Sequence, residues 1–244
     1  MTLVLVAAGT LLAACVQATG GIGFSLILTP VLFALLPAVG AIVVATGLGL
    51  LLNVLVLFAE RRRPTVAWKE VVPILVAAVP GVVVGLLVLR ALPKPVLQVA
   101  VGVAVIGFGL VVLRGSARVP RKQAWMRVPI GFTTGVLATS TGVTGPPVAL
   151  WLSSRGLRAH AVRDSLGAMF LGLGTIAALT LLPVLHEAHL GAWTLIAAVL
   201  AVLAGHAIGS RLFARLTPRH FEALLLVITL ATGATSVVLG LSSI

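Results

Sequence analysis

Charge is scarce in this chain, and its scarcity excludes most soluble folds. Only 9% of the 244 residues are charged, whereas 60% are hydrophobic and the mean hydropathy is +1.22. Soluble domains carry about 25% charged residues, because their surfaces must be hydrated. Apolar runs long enough to cross a bilayer recur along the whole chain. The sequence therefore predicts an all-α polytopic membrane protein.

Acidic and thiol groups are also few, which weakens catalytic and metal-binding interpretations. The five acidic residues all lie at or near the ends of predicted spans, without paired carboxylates. Cys15 is the single cysteine, which leaves neither a disulfide framework nor a cysteine metal site. The sequence has neither a nucleophile motif nor a histidine-rich ligand spacing. We therefore expect no enzyme activity, no cofactor and no metal.

Basic residues are absent before Arg61, and the later ones cluster at the ends of apolar runs. The net charge of +12 would suit nucleic-acid binding, but this placement is typical of residues that orient membrane proteins. We therefore predict a lipid bilayer as partner and no nucleic acid. The first run, 3–18, lacks the basic start of a signal peptide, so we expect it in the mature fold.

Apolar runs and their breakers divide the chain into ten helical segments. In each half two short segments precede three long ones, and a basic stretch separates the halves. We predict one membrane domain with a first repeat (1–113), a cytoplasmic basic linker (114–127) and a second repeat (128–244). The segments are expected at about 3–18, 24–36, 39–59, 70–89, 95–113 and 128–140, then in a short piece ending near 154, and at about 160–182, 191–213 and 219–241.

The two halves are weakly similar to each other. A shift of 121 residues aligns TGGIGF (19–24) with STGVTG (140–145), and a shift of 124 aligns glycines of the later helices. A short helix pair can enter the membrane and return to the same side, so each half would supply a broken, re-entrant hairpin and three transmembrane helices. Three crossings invert the second half relative to the first. Two thin full crossings in place of each hairpin are the alternative.

The placement of positive charge supports this inverted model. With the loop 61–63 in the cytoplasm, all of the 17 Lys and Arg residues except Arg90 and Lys94 fall on the cytoplasmic side. The predicted external loop 183–190 contains neither Lys nor Arg. Both termini are therefore expected outside. The four tryptophans fall near predicted interfaces, where aromatic anchors are common.

Two glycine-rich breaks interrupt the short segments, QATGGIGFS (17–25) and TSTGVTGPP (139–147). Irregular backbone survives in hydrocarbon only where it is buried in protein or lines a polar cavity. A broken helix also exposes an N-terminus whose N–H groups attract anions. Under inverted symmetry the two tips would meet near the midplane and face one space that suits a small anion. A purely structural pair of kinks is the alternative.

The candidate substrate-binding residues belong to these breaks. Backbone N–H groups near 21–24 and 143–145 would hold the anion, with help from hydroxyl side chains. One of the residues, the Gln17 amide, either lines a pathway or ties helices together. The first break supplies Gln17, Thr19, Gly20, Gly21, Gly23, Phe24 and Ser25, and the second supplies Ser140, Thr141, Gly142, Val143, Thr144, Gly145 and Pro146.

Other polar residues within or beside the spans have two interpretations each. His206 is the candidate coupling residue, as a proton relay, and its alternative is a helix–helix hydrogen bond. Arg163 and Asp164 either gate the cytoplasmic mouth or supply inside charge and a helix cap. Asn53 is expected to tie helices together. Packing is the role we assign to the glycine pairs Gly81/Gly85 and Gly205/Gly209.

These motifs resemble those of a known family. TGGIGFSLILTPVLFALLP (19–37) and STGVTGPPVALWLSSRGL (140–157) resemble the paired signatures of the TauE/SafE sulfite exporter family, and the glycine-spaced helix ends PGVVVGLLVLRALP (80–93) and AGHAIGSRLFARLTP (204–218) match its pattern. Family members often have glycine where this chain has Thr144. Carried onto this sequence, the motif positions are Gly20, Gly21, Gly23, Thr141, Gly142, Gly145, Pro146 and Pro147.

The resemblance implies a bacterial inner-membrane carrier for sulfite, organosulfonates and related small anions, built from two repeats. We therefore predict a multi-pass secondary transporter that works by alternating access, with both termini in the periplasm. An anion channel of the same architecture and a non-transport membrane assembly protein are the alternatives. The expected partners are the small anion, the bilayer and, in a homodimer, a second copy of the chain.

Overall fold

The computed structural model describes residues 2–58, 63–113, 124–187, 191–213, 230–231 and 233–242. Within these ranges the chain is helical and contains no strand, which confirms the predicted all-α fold class. Residues 233–241 are helical as well. The helices are α1 (Thr2–Gly20), α2 (Phe24–Leu35), α3 (Ala38–Phe58), α4 (Trp68–Ala91), α5 (Lys94–Leu113), α6 (Arg127–Ser140), α7 (Gly145–Ser154), α8 (Ala159–Leu181) and α9 (Ala192–Phe213), with 3-10 turns at Ala124–Met126 and Leu182–Glu187.

The described helices make this a multi-pass membrane protein. Five of them, α1, α3, α4, α8 and α9, are long and apolar enough to cross a bilayer. α1 differs from the sequence expectation of a short segment. It has 19 residues, because the Gly21 N–H still donates to the Gln17 carbonyl at 2.7 Å and closes a last turn. Most of the predicted linker and of the last segment (114–123 and 214–229) lie outside the described residues.

The first helix of each hairpin packs against a long helix from the other half, α1 along α9 and α6 along α4. Glycines bring the backbones together. A Cβ atom on Gly81 would collide with the Phe132 carbonyl oxygen of α6, and one on Gly205 would lie 2.5 Å from the Leu11 carbonyl oxygen of α1. The residue shifts of 124 and 121 map one contact onto the other. The match supports the predicted duplication, which stays a prediction.

Two hydrophobic clusters form the interior. The first joins α1, α2, α3, α5 and α9, with single residues of α4 and α8, and the second joins α4, α6, α7 and α8. Ile22, in the break between α1 and α2, packs against both clusters. The first break therefore lies where the two clusters meet.

Buried polar side chains fix the hairpins to their neighbours. Pro37 has no N–H for the Phe33 carbonyl, and the buried Gln98 of α5 donates to that oxygen at 3.2 Å. On α4, the Glu70 carboxylate accepts from the Arg127 guanidinium of α6 at 2.8 and 3.0 Å. It also accepts from the Trp151 indole of α7 at 2.8 Å. These bonds fasten α2 to α5, and α6 and α7 to α4.

Trp151 departs from the expectation of four interfacial anchors. Its side chain is fully buried and carries the Arg155 guanidinium 3.5 Å above its ring. The other three, Trp68, Trp125 and Trp193, are 60%, 67% and 78% exposed. The carboxylate partner in α4 explains the difference, because it satisfies the indole N–H inside the protein.

Candidate functional site

A cavity of about 60 Å³ lies between the two glycine-rich breaks. Residues from both breaks line it, together with residues of α3 and α8. The breaks touch each other, since a Cβ on Gly145 would lie 2.8 Å from the Ile22 Cγ2 atom. The lining residues are Gln17, Ile22, Gly23, Phe24, Ser25, Ala45, Thr46, Gly49, Leu50, Asn53, Ala138, Gly142, Thr144, Gly145, Phe170, Leu173, Gly174 and Ala177.

Glycine is required at the turns that form the breaks. Gly21 and Gly23 have φ angles of 75° and 127°, and Gly142 has a φ of 70°. L-residues with side chains rarely adopt this left-handed region. Gly21 and Gly142 are also related by the shift of 121 residues. The two hairpins therefore reverse direction at corresponding positions.

A pair of buried amides spans the cavity from α1 to α3. The Gln17 Nε2 donates to the Asn53 Oδ1 at 2.8 Å, and the Phe24 N–H donates to the Gln17 Oε1 at 3.2 Å. Gln17 thus satisfies one of the open N–H groups at the start of α2. The Phe24 N–H, which the sequence analysis assigns to the anion, is therefore engaged by a side chain. The same holds for Val143, whose N–H points to the Thr141 Oγ1 at 3.4 Å.

Three hydroxyl side chains line the cavity: those of Ser25, Thr46 and Thr144. Within the described part of the chain none of these hydroxyls has a hydrogen-bond partner. They can therefore donate to, or accept from, a molecule inside the cavity. Thr144 precedes α7, so its hydroxyl also lies at the start of that helix.

Three other predicted hydroxyls do not line the cavity. Thr19, Ser140 and Thr141 lie in or at the ends of α1 and α6, and each donates to the carbonyl four residues earlier. The distances are 2.5, 2.7 and 2.9 Å, respectively. Serine and threonine in a helical turn commonly bond back in this way, which turns the oxygen away from neighbouring space. These three hydroxyls satisfy carbonyls at the ends of α1 and α6, whereas the hydroxyls of Ser25, Thr46 and Thr144 line the cavity.

Three further candidates, Gly21, Val143 and His206, are also not among the described lining residues. Gly21 packs against Arg163, and Val143 is fully buried. Gly20 ends α1, and Pro146 lies in the first turn of α7, where no N–H is needed. His206, the coupling candidate, is nearly buried on α9 and is likewise not among the lining residues.

Some lining residues are missed by sequence reasoning. Asn53 is expected to serve helix packing, yet it both binds Gln17 and lines the cavity. The sequence does mark Asn53 as unusual, because it places a polar amide within the 21-residue apolar helix α3. Thr46, Gly49 and Gly174 carry no such signal, since small residues are common in membrane helices. Only the packing of α3 against α8 brings them to the cavity.

The start of α8 holds the tip of the first hairpin. The Arg163 Nη2 donates to the Ala18 carbonyl at 2.7 Å, near the C-terminus of α1, where carbonyl groups carry partial negative charge. The Asp164 carboxylate accepts from the Thr65 N–H at 2.8 Å and its hydroxyl at 3.2 Å. Both α8 side chains are buried. Arg158, not Asp164, occupies the N-cap of α8, so the expected capping role is wrong. Asp164 instead fixes the segment before α4.

The electrostatic character of the cavity comes from dipoles. All described lining residues are uncharged, and the polar groups are hydroxyls, two amides and the backbone of both breaks. The N-termini of α2 and α7 begin in this lining, at Phe24 and Gly145. Helix N-termini favour negative charge. The arrangement can hold a small polar or anionic molecule by hydrogen bonds.

Comparison with known proteins gives one finding at the level of the family. Neither curated protein sequences nor solved structures give a significant match. The model of a family described as Sulfite exporter TauE/SafE matches residues 5–236, which include both breaks. This match covers nearly the whole chain. The protein therefore belongs to the TauE/SafE sulfite exporter family, which implies a membrane transporter that exports sulfite or a related anion.

Proposed function

We propose that the protein is a secondary transporter that moves a small oxyanion, sulfite or an organosulfonate, across the bacterial inner membrane by alternating access. The observation that carries the proposal is the shared cavity, which residues from both breaks line although they come from opposite halves of the chain. Its volume of about 60 Å³ has room for several waters or one small oxyanion.

The hydroxyls of Ser25, Thr46 and Thr144 are the groups we assign to the anion. Ser25 and Thr144 line the cavity at the starts of α2 and α7, and Thr46 lines it from α3. Gln17 and Asn53 also line the cavity and are joined by their mutual hydrogen bond. The site therefore combines mobile hydroxyl donors with fixed helix dipoles, and release needs no strong ion pair to break.

Alternating access requires the walls of this cavity to move relative to each other. Close backbone packing joins α1 to α9 and α6 to α4, and the two breaks extend from these pairs. We infer that each pair moves as one body, with a helix from each half of the chain.

Proteoliposomes that contain the purified protein test the transport class. Labelled sulfite or a taurine-like sulfonate should enter with saturable kinetics, and unlabelled anion on the opposite side should accelerate the flux. Such exchange identifies a carrier. A non-saturable flux with large single-channel currents would instead identify an anion channel. Absence of any protein-dependent flux would favour an assembly role.

A matched pair of threonine substitutions tests the site. Thr144→Val removes a hydroxyl that faces the cavity, and we expect anion affinity to fall about ten- to hundredfold, because a hydrogen bond to a charged group contributes about 1.5–3 kcal/mol. Thr141→Val removes a hydroxyl that is already bonded to the Leu137 carbonyl, and affinity should change less than about threefold. Equal losses would show that the cavity is not the binding site. The measurement is the concentration dependence of exchange.

A further inference from the structure

The uncharged lining of the cavity bears on which ionic form of the substrate enters it. We propose that the cavity selects monoanions, so that sulfite is carried as hydrogen sulfite, HSO₃⁻, and divalent oxyanions are excluded. This inference rests on the proposed function, because it concerns the same cavity and the same class of substrate. It adds the charge state of the transported species and the route of the proton.

Among the described lining residues, dipoles are the groups that can compensate a negative charge. Every described residue of the lining is neutral. A buried cation on a lining helix, Arg163 of α8, packs against Gly21, donates to the Ala18 carbonyl at 2.7 Å and is not among the described lining residues. Its neighbour Asp164 is bound to Thr65.

Other titratable groups on the surrounding helices, among them His160 of α8, are likewise not among the described lining residues. On α4, Glu70 is bonded to Arg127 at 2.8 Å, and on α9, His206 is not among the lining residues. Cys15 of α1 is likewise outside the lining. A charged substrate in the cavity therefore meets hydroxyls, amides and helix N-termini.

Desolvation then discriminates between one and two negative charges. The cost of moving an ion from water into a low-dielectric site rises with the square of its charge, so a dianion loses about four times as much hydration as a monoanion of similar size. Attraction to a fixed dipole rises only in proportion to the charge. Since the described lining holds no cation, the extra desolvation cost of the second charge exceeds the extra attraction from the dipoles.

The hydrogen-bonding groups of the lining also match a protonated oxyanion. The hydroxyls of Ser25, Thr46 and Thr144 can accept as well as donate. The Asn53 Oδ1 accepts one hydrogen bond from Gln17 and retains a second lone pair. An anion with one O–H group can donate to these oxygens, whereas a fully deprotonated anion cannot.

An apolar side of the cavity fits the other monoanions of the same class. Phe24, Leu50, Phe170 and Leu173 face the cavity together with alanines and glycines. The organic group of a sulfonate, R–SO₃⁻, can lie against them while its three oxygens face the hydroxyls. A sulfonate keeps a single negative charge throughout the neutral pH range.

The proton consequently travels with the substrate. Hydrogen sulfite that enters from one side dissociates on the other side into SO₃²⁻ and H⁺, so one proton moves with each sulfite. Sulfite flux then depends on the pH difference across the membrane without a titrating side chain in the cavity. Sulfonate flux carries no proton.

The test compares three anions with the full-length protein in proteoliposomes at equal internal and external pH. As pH is raised through and above the second ionisation of sulfurous acid, the sulfite flux at constant total sulfite should fall toward a tenfold decrease per pH unit. Methanesulfonate flux, measured on the same vesicles, should change less than about twofold, which controls for titration of the protein. The inhibition constant of sulfate against methanesulfonate flux should be at least about tenfold higher than that of hydrogen sulfite. This ratio corresponds to a difference in binding free energy of about 1.4 kcal/mol or more.

A cation introduced into the lining supplies the converse experiment. Thr46→Lys should improve inhibition by sulfate relative to methanesulfonate, whereas the neutral Thr46→Gln, of similar size, should not. Methanesulfonate transport with a sulfite flux that stays constant or rises with pH would overturn the inference and leave the proposed function intact. Lack of flux for both sulfite and methanesulfonate would overturn the proposed function together with this inference.

Discussion

Gln17 joins three parts of the site through one side chain. Its amide nitrogen donates to Asn53 of α3, and its amide oxygen accepts from the Phe24 N–H at the start of α2. Both amides are 5% exposed, so water cannot replace these bonds readily. The sequence leaves open whether this side chain lines a pathway or ties helices together. In the structure Gln17 ties α1 to α3 and lines the cavity, and a role in a transport pathway stays a prediction.

Replacement of Gln17 by Leu should therefore destabilise the protein. The Phe24 N–H and the Asn53 Oδ1 would lose their partner in a buried site, and we expect the free energy of unfolding to fall by about 1–3 kcal/mol. Equilibrium unfolding in mixed micelles measures this change. Thr175→Val is the control, because that exposed hydroxyl bonds only within its own helix, and its effect should stay within about 0.5 kcal/mol.

Coupling between the two amides distinguishes this network from independent contacts. In the Gln17→Leu background, Asn53→Leu should lower the free energy of unfolding by less than it does in the unchanged protein. The reason is that the Asn53 oxygen has already lost its donor in that background. Additive losses would show that the hydrogen bond between the amides contributes little.

At the scale of helices, glycine determines which elements pack together. Gly131 and Gly135 of α6 face the carbonyls of Ile74 and Ala78 on α4, and Gly209 of α9 faces the Cys15 carbonyl of α1. In each case a Cβ would occupy the position of a backbone atom. Without side chains between them, the paired backbones approach closely and gain dispersion contacts along their length.

Gly81→Ala tests this packing directly. The new methyl group would overlap the Phe132 carbonyl of α6, and we expect about 1–3 kcal/mol of destabilisation, because backbone cannot yield as a side chain can. Gly47→Ala, in α3, is the matched control, since a Cβ atom at that position would have no neighbour within 4 Å. Its effect should stay within about 1 kcal/mol, on the stabilising side. Similar losses for both variants would contradict the proposed role of the α4–α6 contact. Thermal unfolding of the purified variants measures both.

At the scale of the whole molecule, the orientation in the membrane follows from charge and crossing number. The basic stretch 114–127 is predicted in the cytoplasm, and the loop 183–190, without Lys or Arg, outside. The described helices give the spans between these loops. With a hairpin and three crossings in each half, both termini are predicted in the periplasm.

Fusions of topology reporters test this orientation. Alkaline phosphatase, which requires the periplasm, should be active when it is joined after residue 244 or inserted at 187–190. Green fluorescent protein inserted at 118–121 should fluoresce, because that linker is predicted in the cytoplasm. A C-terminal phosphatase without activity, in a fusion that is present in the membrane at normal amounts, would show an even number of crossings in the second half and contradict the inverted arrangement.

Local sequence is sufficient to predict the membrane class, the helix positions and the two breaks. These follow from local physics: apolar runs seek hydrocarbon, and Gly21, Gly23 and Gly142 permit backbone angles that other residues avoid. The family can also be recognised from the motifs that span both breaks. Most helix bounds differ by only a few residues from those expected, because each end coincides with a proline, a glycine or a charge.

The choice of side chains that face the cavity, in contrast, depends on how the helices pack. Thr141 and Thr144 are three residues apart and chemically identical, yet one bonds to its own helix and the other faces the cavity. Thr46 and Asn53 join the site because α3 packs between the breaks and α8. Such choices depend on contacts between residues that are distant in sequence. A hydroxyl has the same sequence signature whether its hydrogen bond closes a helical turn or remains open to a substrate.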